Sequence, residues 1–155
     1  VSAERRLKDL GLSLPSGTAP AANYANAVRS GNLLFIAGKG PLPEKNGKLP
    51  KGKLGREFTV EDGYRYARSA ALDLIAVMRA ELGSLDKVAR VVEVQGFINA
   101  TADFEDHAKV LNGCSDLFVE VFQDRGVHAR SVLGAASLRG GLPLILRSVV
   151  EVAPD

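Results

Sequence analysis

Val88-Ala89-Arg90-Val91-Val92-Glu93-Val94-Gln95-Gly96-Phe97-Ile98 is the stretch whose reading decides the fold. Val88, Val92, Val94 and Ile98 fall on one parity, with Arg90 among them; Ala89, Val91 and Phe97 fall on the other. A half-buried strand alternates apolar with polar residues, whereas this one is apolar on both sides, as strands covered on both faces are. One face is expected to pack on helices. The other needs a cover that a single helical layer cannot supply, which points to a partner subunit.

On the N-terminal side of this strand, Thr59 caps a long helix, with Asp62 at the capping-box position. Val60, Tyr64, Ala67, Ala71, Leu74, Val77 or Met78, and Leu82 repeat at the spacing of one buried face, and Gly83 ends the helix. Ala67, Ala70, Ala71 and Ala76 leave room for close packing across a sheet. On the C-terminal side, Thr101 to Asp106 is a connector and a second helix is expected from about Lys109 to Gln123, with Asn112-Gly113 distorting or delaying its start. Gly126 closes that segment, and Ala129 to Ala136 and Leu144 to Val152 read as strands. Farther upstream, Tyr24 to Val28 and Leu33 to Ala37 form a hairpin about Arg29-Ser30-Gly31-Asn32. Ser2 to Leu10 is a short amphipathic helix stopped by Gly11, residues 14–20 are a loop, and Pro43 to Gly55 is a long loop rich in Lys, Gly and Pro. The order β-β-α-β-α-β-β implies an α+β fold, a mixed sheet with two main helices on one face.

The chain has 155 residues, 46% hydrophobic and 25% charged, with 20 Lys and Arg against 18 Asp and Glu, for a net charge of +2. This suits one domain spanning 1–155, with a helical extension over about 1–19. The even charge gives no reason to expect nucleic acid as a partner. No apolar run approaches the roughly 18 residues of a membrane span, and no signal peptide is legible. The single cysteine, Cys114, excludes an intramolecular disulfide; with only two histidines it argues against a zinc site and for the cytoplasm. No metal and no cofactor are expected.

The richest chemistry lies in Gly126-Val127-His128-Ala129-Arg130-Ser131-Val132. Arg130 offers a planar fork of donors that fits a carboxylate with two parallel hydrogen bonds and stays charged at any physiological pH; the competing reading is an ion pair between subunits. His128 is placed to act as an acid or base near neutrality, or else to hydrogen-bond the backbone of its turn. Gly38-Lys39-Gly40-Pro41 lacks the spacing and hydroxyl of a phosphate loop, so Lys39 reads first as a solvated loop lysine. His107 sits between Asp106 and Ala108 on a polar connector and reads as a surface residue.

Tyr24, then Ser30-Gly31-Asn32-Leu33-Leu34-Phe35-Ile36-Ala37-Gly38, then Asp103-Phe104, Leu111-Asn112 and Ala129-Arg130-Ser131 occur in an order that resembles the Rid family, also called YjgF or L-PSP endoribonuclease-like. The resemblance runs from about Pro20 to the C-terminus. LKDLGLSLP, ELGSLDKVARVVEVQGFINA, NGCSDLFVEVF and HARS resemble a longer-chain branch of it. It implies a chorismate-mutase-like fold and a homotrimer with sites in clefts between subunits. It also implies hydrolysis of reactive enamines and imines to keto acids and ammonia. By the resemblance Arg130 binds the substrate carboxylate; His128 is the second catalytic candidate on its own acid-base chemistry. Tyr24, Asn112 and Ser131 line the pocket, the backbone at Gly38 contacts the substrate, and Lys39 stands where deaminases often have Gln.

Two departures bear on chemistry. Val132 replaces a cysteine that often follows the Arg-Ser pair, and Cys114 is not its substitute. Ile145 stands where active deaminases carry the Glu that positions water. Glu151, six residues further on and about 20 Å along a strand, cannot replace it within one chain. Three functions follow: a 2-imino or enamino acid deaminase, a noncatalytic trimeric binder of small carboxylates, and an endoribonuclease or translation inhibitor. The last has no histidine pair in a plausible acid-base arrangement and no stripe of Lys and Arg with aromatics to support it.

Overall fold

A computed structural model describes residues 2–16, 19–20 and 22–155. Gly17 and Thr18, in the loop expected at 14–20, lie outside the described residues. The elements are α1 (Ala3–Asp9), β1 (Ala27–Ser30), β2 (Leu33–Lys39), α2 (Val60–Leu82), β3 (Val88–Asn99), α3 (His107–Phe122), β4 (Ala129–Ala135) and β5 (Leu144–Val152). The sheet runs β1-β2-β5-β3-β4, with β3 and β4 parallel and every other pair antiparallel. This is the expected α+β architecture. α3 is the crossover that a parallel pair requires.

α2 begins with a full capping box: the Thr59 N–H donates to Asp62 Oδ2 at 2.9 Å and the Asp62 N–H to Thr59 Oγ1 at 3.2 Å. It ends at Gly83 with φ 84°, the left-handed conformation that glycine adopts at least cost. Ala67, Ala70, Ala71, Leu74, Ile75 and Met78 join Val110, Leu111, Leu117, Phe118 and Val121 of α3 in one core. Leu34, Ile36, Val91, Val94, Ile98, Leu144, Leu146 and Val150 close it from the sheet. α1 docks on this body. Ala3 and Leu7 are buried, Glu4 meets Arg79 at 2.6 Å and accepts the Leu85 N–H, and Arg6 Nε donates to the Val121 carbonyl.

β3 departs from simple parity. Register irregularities fall between Val88 and Arg90 and between Val91 and Glu93, and the buried residues are Val88, Val91, Val94, Gly96, Ile98 and Asn99. Val92 is turned outward, away from the parity it shares with Val88 and Val94. Extra residues at bulges reverse the alternation locally, which a count by twos cannot follow. Both faces are nonetheless apolar. On the face away from the helices, Val28, Phe35 and Val149 form one cross-strand row, and Leu133, Phe97 and Ile145 another. Val28 is 60% exposed and Leu133 58%.

Two other boundaries moved. β1 is Ala27–Ser30 rather than 24–28, and Ser30 pairs directly with Leu33 across the two-residue turn Gly31-Asn32, where Gly31 has φ 61°. A two-residue turn with positive φ matches strand twist better than a four-residue one, and it leaves Tyr24 ahead of the strand, 49% exposed. α3 starts at His107 and runs unbroken through Asn112-Gly113. A Cβ on Gly113 would lie 2.0 Å from the Tyr64 carbonyl oxygen, so this glycine permits close approach of α2 and α3 rather than a break. Among the described residues no helix is long and apolar enough to cross a membrane.

Candidate functional site

β4 is an edge strand, and on its helix side Arg130, paired with buried Val94, lies against α3. Its Nη1 donates to Ser115 Oγ at 3.0 Å and its Nη2 to the Ala108 carbonyl at 3.4 Å. Ala108, Asn112 and Ser115 are spaced four and three apart, so they form one stripe of α3. No carboxylate among the described residues forms an ion pair with Arg130. A guanidinium carries five N–H donors; two are committed here to neutral oxygens, and each Nη keeps one more for an anion.

His128 completes this cluster. Its Nδ1 lies 2.6 Å from the Gly126 carbonyl and its Nε2 2.9 Å from Ser115 Oγ. The carbonyl can only accept, so Nδ1 carries the proton. In the neutral ring Nε2 then accepts from the Ser115 hydroxyl, which in turn accepts from Arg130. Burial pushes the His128 pKa down, the Gly126 carbonyl opposes, and the Arg130 charge adds to the depression. Phe118 packs edge-on to the ring at 5.9 Å between centroids. His128 therefore joins both readings, bonded to its turn and linked through Ser115 to Arg130. Sequence reasoning missed Ser115; its only signal was the three-residue step from Asn112. Cys114 is fully buried and its thiol pKa is raised by that burial, against the opposing pull of Arg130, which leaves it a poor nucleophile.

The other expected site residues lie apart. Ser131 pairs with Gln95 on the opposite side of β4 from Arg130. Tyr24, Gly38 and Lys39 share a cavity of about 250 Å³ with Pro41, Asp73 and Arg139. Lys39 is buried rather than solvated, and its ammonium donates to Asn26 Oδ1 at 2.7 Å. A Cβ on Gly38 would lie 2.8 Å from Ile145 Cγ2, so the aliphatic Ile145 directly adjoins the backbone expected to contact the substrate. Ile145 pairs with Phe97, whereas Arg130 pairs with Val94; the two project from opposite faces of the sheet. His107 was expected at the surface; it lines a cavity of about 600 Å³. Among the described residues no three His, Cys, Asp or Glu side chains converge as a metal-ligand set.

Residues 4–145 match the family model described as "YjgF/chorismate_mutase-like, putative endoribonuclease". Protein TCP17 of Trypanosoma cruzi is 40% identical over 147 residues, covering 94% of this chain and 91% of that protein. The structure of Atu1372 from Agrobacterium tumefaciens superposes with a TM-score of 0.88 at 35% identity, over 97% of this chain and 92% of that one. A "putative endoribonuclease" from Shewanella oneidensis superposes with a TM-score of 0.91 at 30% identity, over 97% and 99%. Helices on one face of a mixed sheet, the expected order of motifs and this near-complete coverage agree: the chain belongs to the Rid/YjgF family.

Proposed function

We propose that this Rid/YjgF protein binds small 2-imino or enamino acids through Arg130, in a cleft formed between copies of the chain, and hydrolyses them to keto acid and ammonia. The carrying observation is that the Arg130 guanidinium is held by a hydroxyl and a carbonyl and by no carboxylate among the described residues, so its charge is available to a ligand. The opposite-face placement of Arg130 and the Gly38–Ile145 pair supports a composite site, because one chain cannot present both to a single small molecule. The exposed apolar rows on the open sheet face support a homotrimer that covers them.

One observation favours the second reading, a binder without turnover. Ile145 offers no acceptor for a water beside Gly38, and water positioning is what imine hydrolysis needs beyond a held carboxylate. The test is a coupled assay in which a pyridoxal-phosphate enzyme generates 2-aminoacrylate and keto-acid release is followed. Release above the spontaneous rate, lost in Arg130→Ala, is the expected result. No acceleration, with saturable carboxylate binding still dependent on Arg130, selects the binder. Carboxylate affinity unchanged in Arg130→Ala refutes both.

A further inference from the structure

A cavity of about 600 Å³ lies beyond the carboxyl ends of the parallel pair β3 and β4, where α3 begins. Its polar lining comprises Lys53, Arg56, Thr101 and His107, with Phe104 and Gly134 among the apolar walls and no carboxylate in the lining. From this we propose a second ligand site, distinct from Arg130, that takes a phosphate monoester with a small apolar body.

Three features carry it. His107 is placed but chemically unspent. Phe104 packs edge-on to its ring at 5.1 Å, and a Cβ on Gly134 would come within 2.8 Å of Nε2, so the absent side chain on β4 makes room for the imidazole. Among the described residues neither ring nitrogen of His107 has a hydrogen-bond partner, whereas both of His128's do. Lys53 is the second feature. Its ammonium donates to Asn99 Oδ1 and to the Ala136 carbonyl, two neutral oxygens that fix it at the cavity wall and leave its third proton unused. The third is the entry of α3. Asp106 occupies the N-cap position without a side-chain cap bond, so the first-turn N–H groups beside His107 lack the usual acceptor.

Lys, Arg and His together suit a dianion better than a single carboxylate, and helix starts favour phosphate for the same electrostatic reason. Two acidic groups touch the lining without entering it: Glu57 takes Arg56 through Nε alone, which leaves the Nη groups for the ligand, and accepts the Lys53 backbone N–H, while Asp103 accepts the Thr101 hydroxyl; Asp106 pairs with Lys109. The site does not depend on the Arg130 reading, since Arg130 does not line this cavity.

Phenyl phosphate and inorganic phosphate, titrated separately into the full chain and followed by titration calorimetry in every variant and, in the parent, also by the His107 imidazole NMR signals, test it. Saturable shifts are expected with both, tighter for phenyl phosphate. His107→Asn and Arg56→Ala should each weaken binding by about tenfold, while Arg130→Ala should leave it unchanged. Arg56 is exposed, so its variant reports on binding even where another substitution impairs folding. Absence of saturation at millimolar ligand, insensitivity to both His107→Asn and Arg56→Ala, or loss of binding in a folded Arg130→Ala variant would each overturn the assignment.

Discussion

Gly113→Ala sets two effects of known sign against each other. In a helix interior alanine is favoured over glycine by about 1 kcal/mol, so α3 considered alone predicts a more stable protein. The new Cβ, however, would lie 2.0 Å from the Tyr64 carbonyl oxygen, 2.9 Å from its carbon and 3.1 Å from the Arg68 nitrogen. These are backbone atoms of α2, and no rotamer change removes them. Restoring an ordinary contact of 3.4 Å requires the helices to part locally by about 1.4 Å. Overpacking of this kind costs about 1–3 kcal/mol and occasionally more; an obstacle made of backbone belongs at the upper end. The expected net effect is a loss of about 2 kcal/mol. With a urea slope of about 2 kcal/mol/M, the unfolding midpoint falls by about 1 M. Far-UV circular dichroism at one fixed protein concentration measures it, because assembly adds a concentration term. A midpoint equal to or above that of the parent would refute the close-approach argument and restore propensity as the deciding effect.

Ser115→Ala removes the hydroxyl shared by Arg130 and His128; carboxylate affinity should drop by about tenfold or somewhat more by titration calorimetry, from the low end of the about 1.5–3 kcal/mol of a hydrogen bond to a charged group. His128 titrates lower in the fold than its ordinary 6.5, so between the two values the unfolded chain binds more protons. Stability from this residue is therefore full above that range and lost as pH falls through it, and His128→Gln should flatten that part of a pH series of thermal midpoints. Leu133→Asp places a charge on the open sheet face, where Leu133 is 58% exposed. Light scattering should show a smaller assembly than the parent with little change in secondary structure; an unchanged assembly would exclude this face as the contact.

The elements that follow from local chemistry were legible in the sequence. Thr59, Asp62 and Gly83 delimit α2 because capping and left-handed backbone are written in side-chain type. The face repeat of α2 and the apolar runs at Leu33 and Leu144 survive as elements for the same reason. Asn112-Gly113 misled because a glycine's local meaning, flexibility, was overridden by a neighbour far away in sequence, the Tyr64 carbonyl. The parity of β3 failed where bulges add a residue that spacing alone does not reveal.

The site divides in the same way. Arg130, His128 and Asn112 could be chosen from residue type and motif order, and Arg130 and His128 do meet, through a serine that no motif singled out. Lys39 is a solvated lysine by composition and a buried one in the fold, and His107 is a connector residue that became a cavity wall. The sequence by itself determined the helices, the strands, their order, and the presence of an arginine suited to an anion, because these rest on side-chain chemistry and period. Only the tertiary structure decided that Arg130 and Ile145 lie on opposite faces of one sheet, since the face of a strand residue depends on register and bulges, and those are set by pairing between segments distant in the chain.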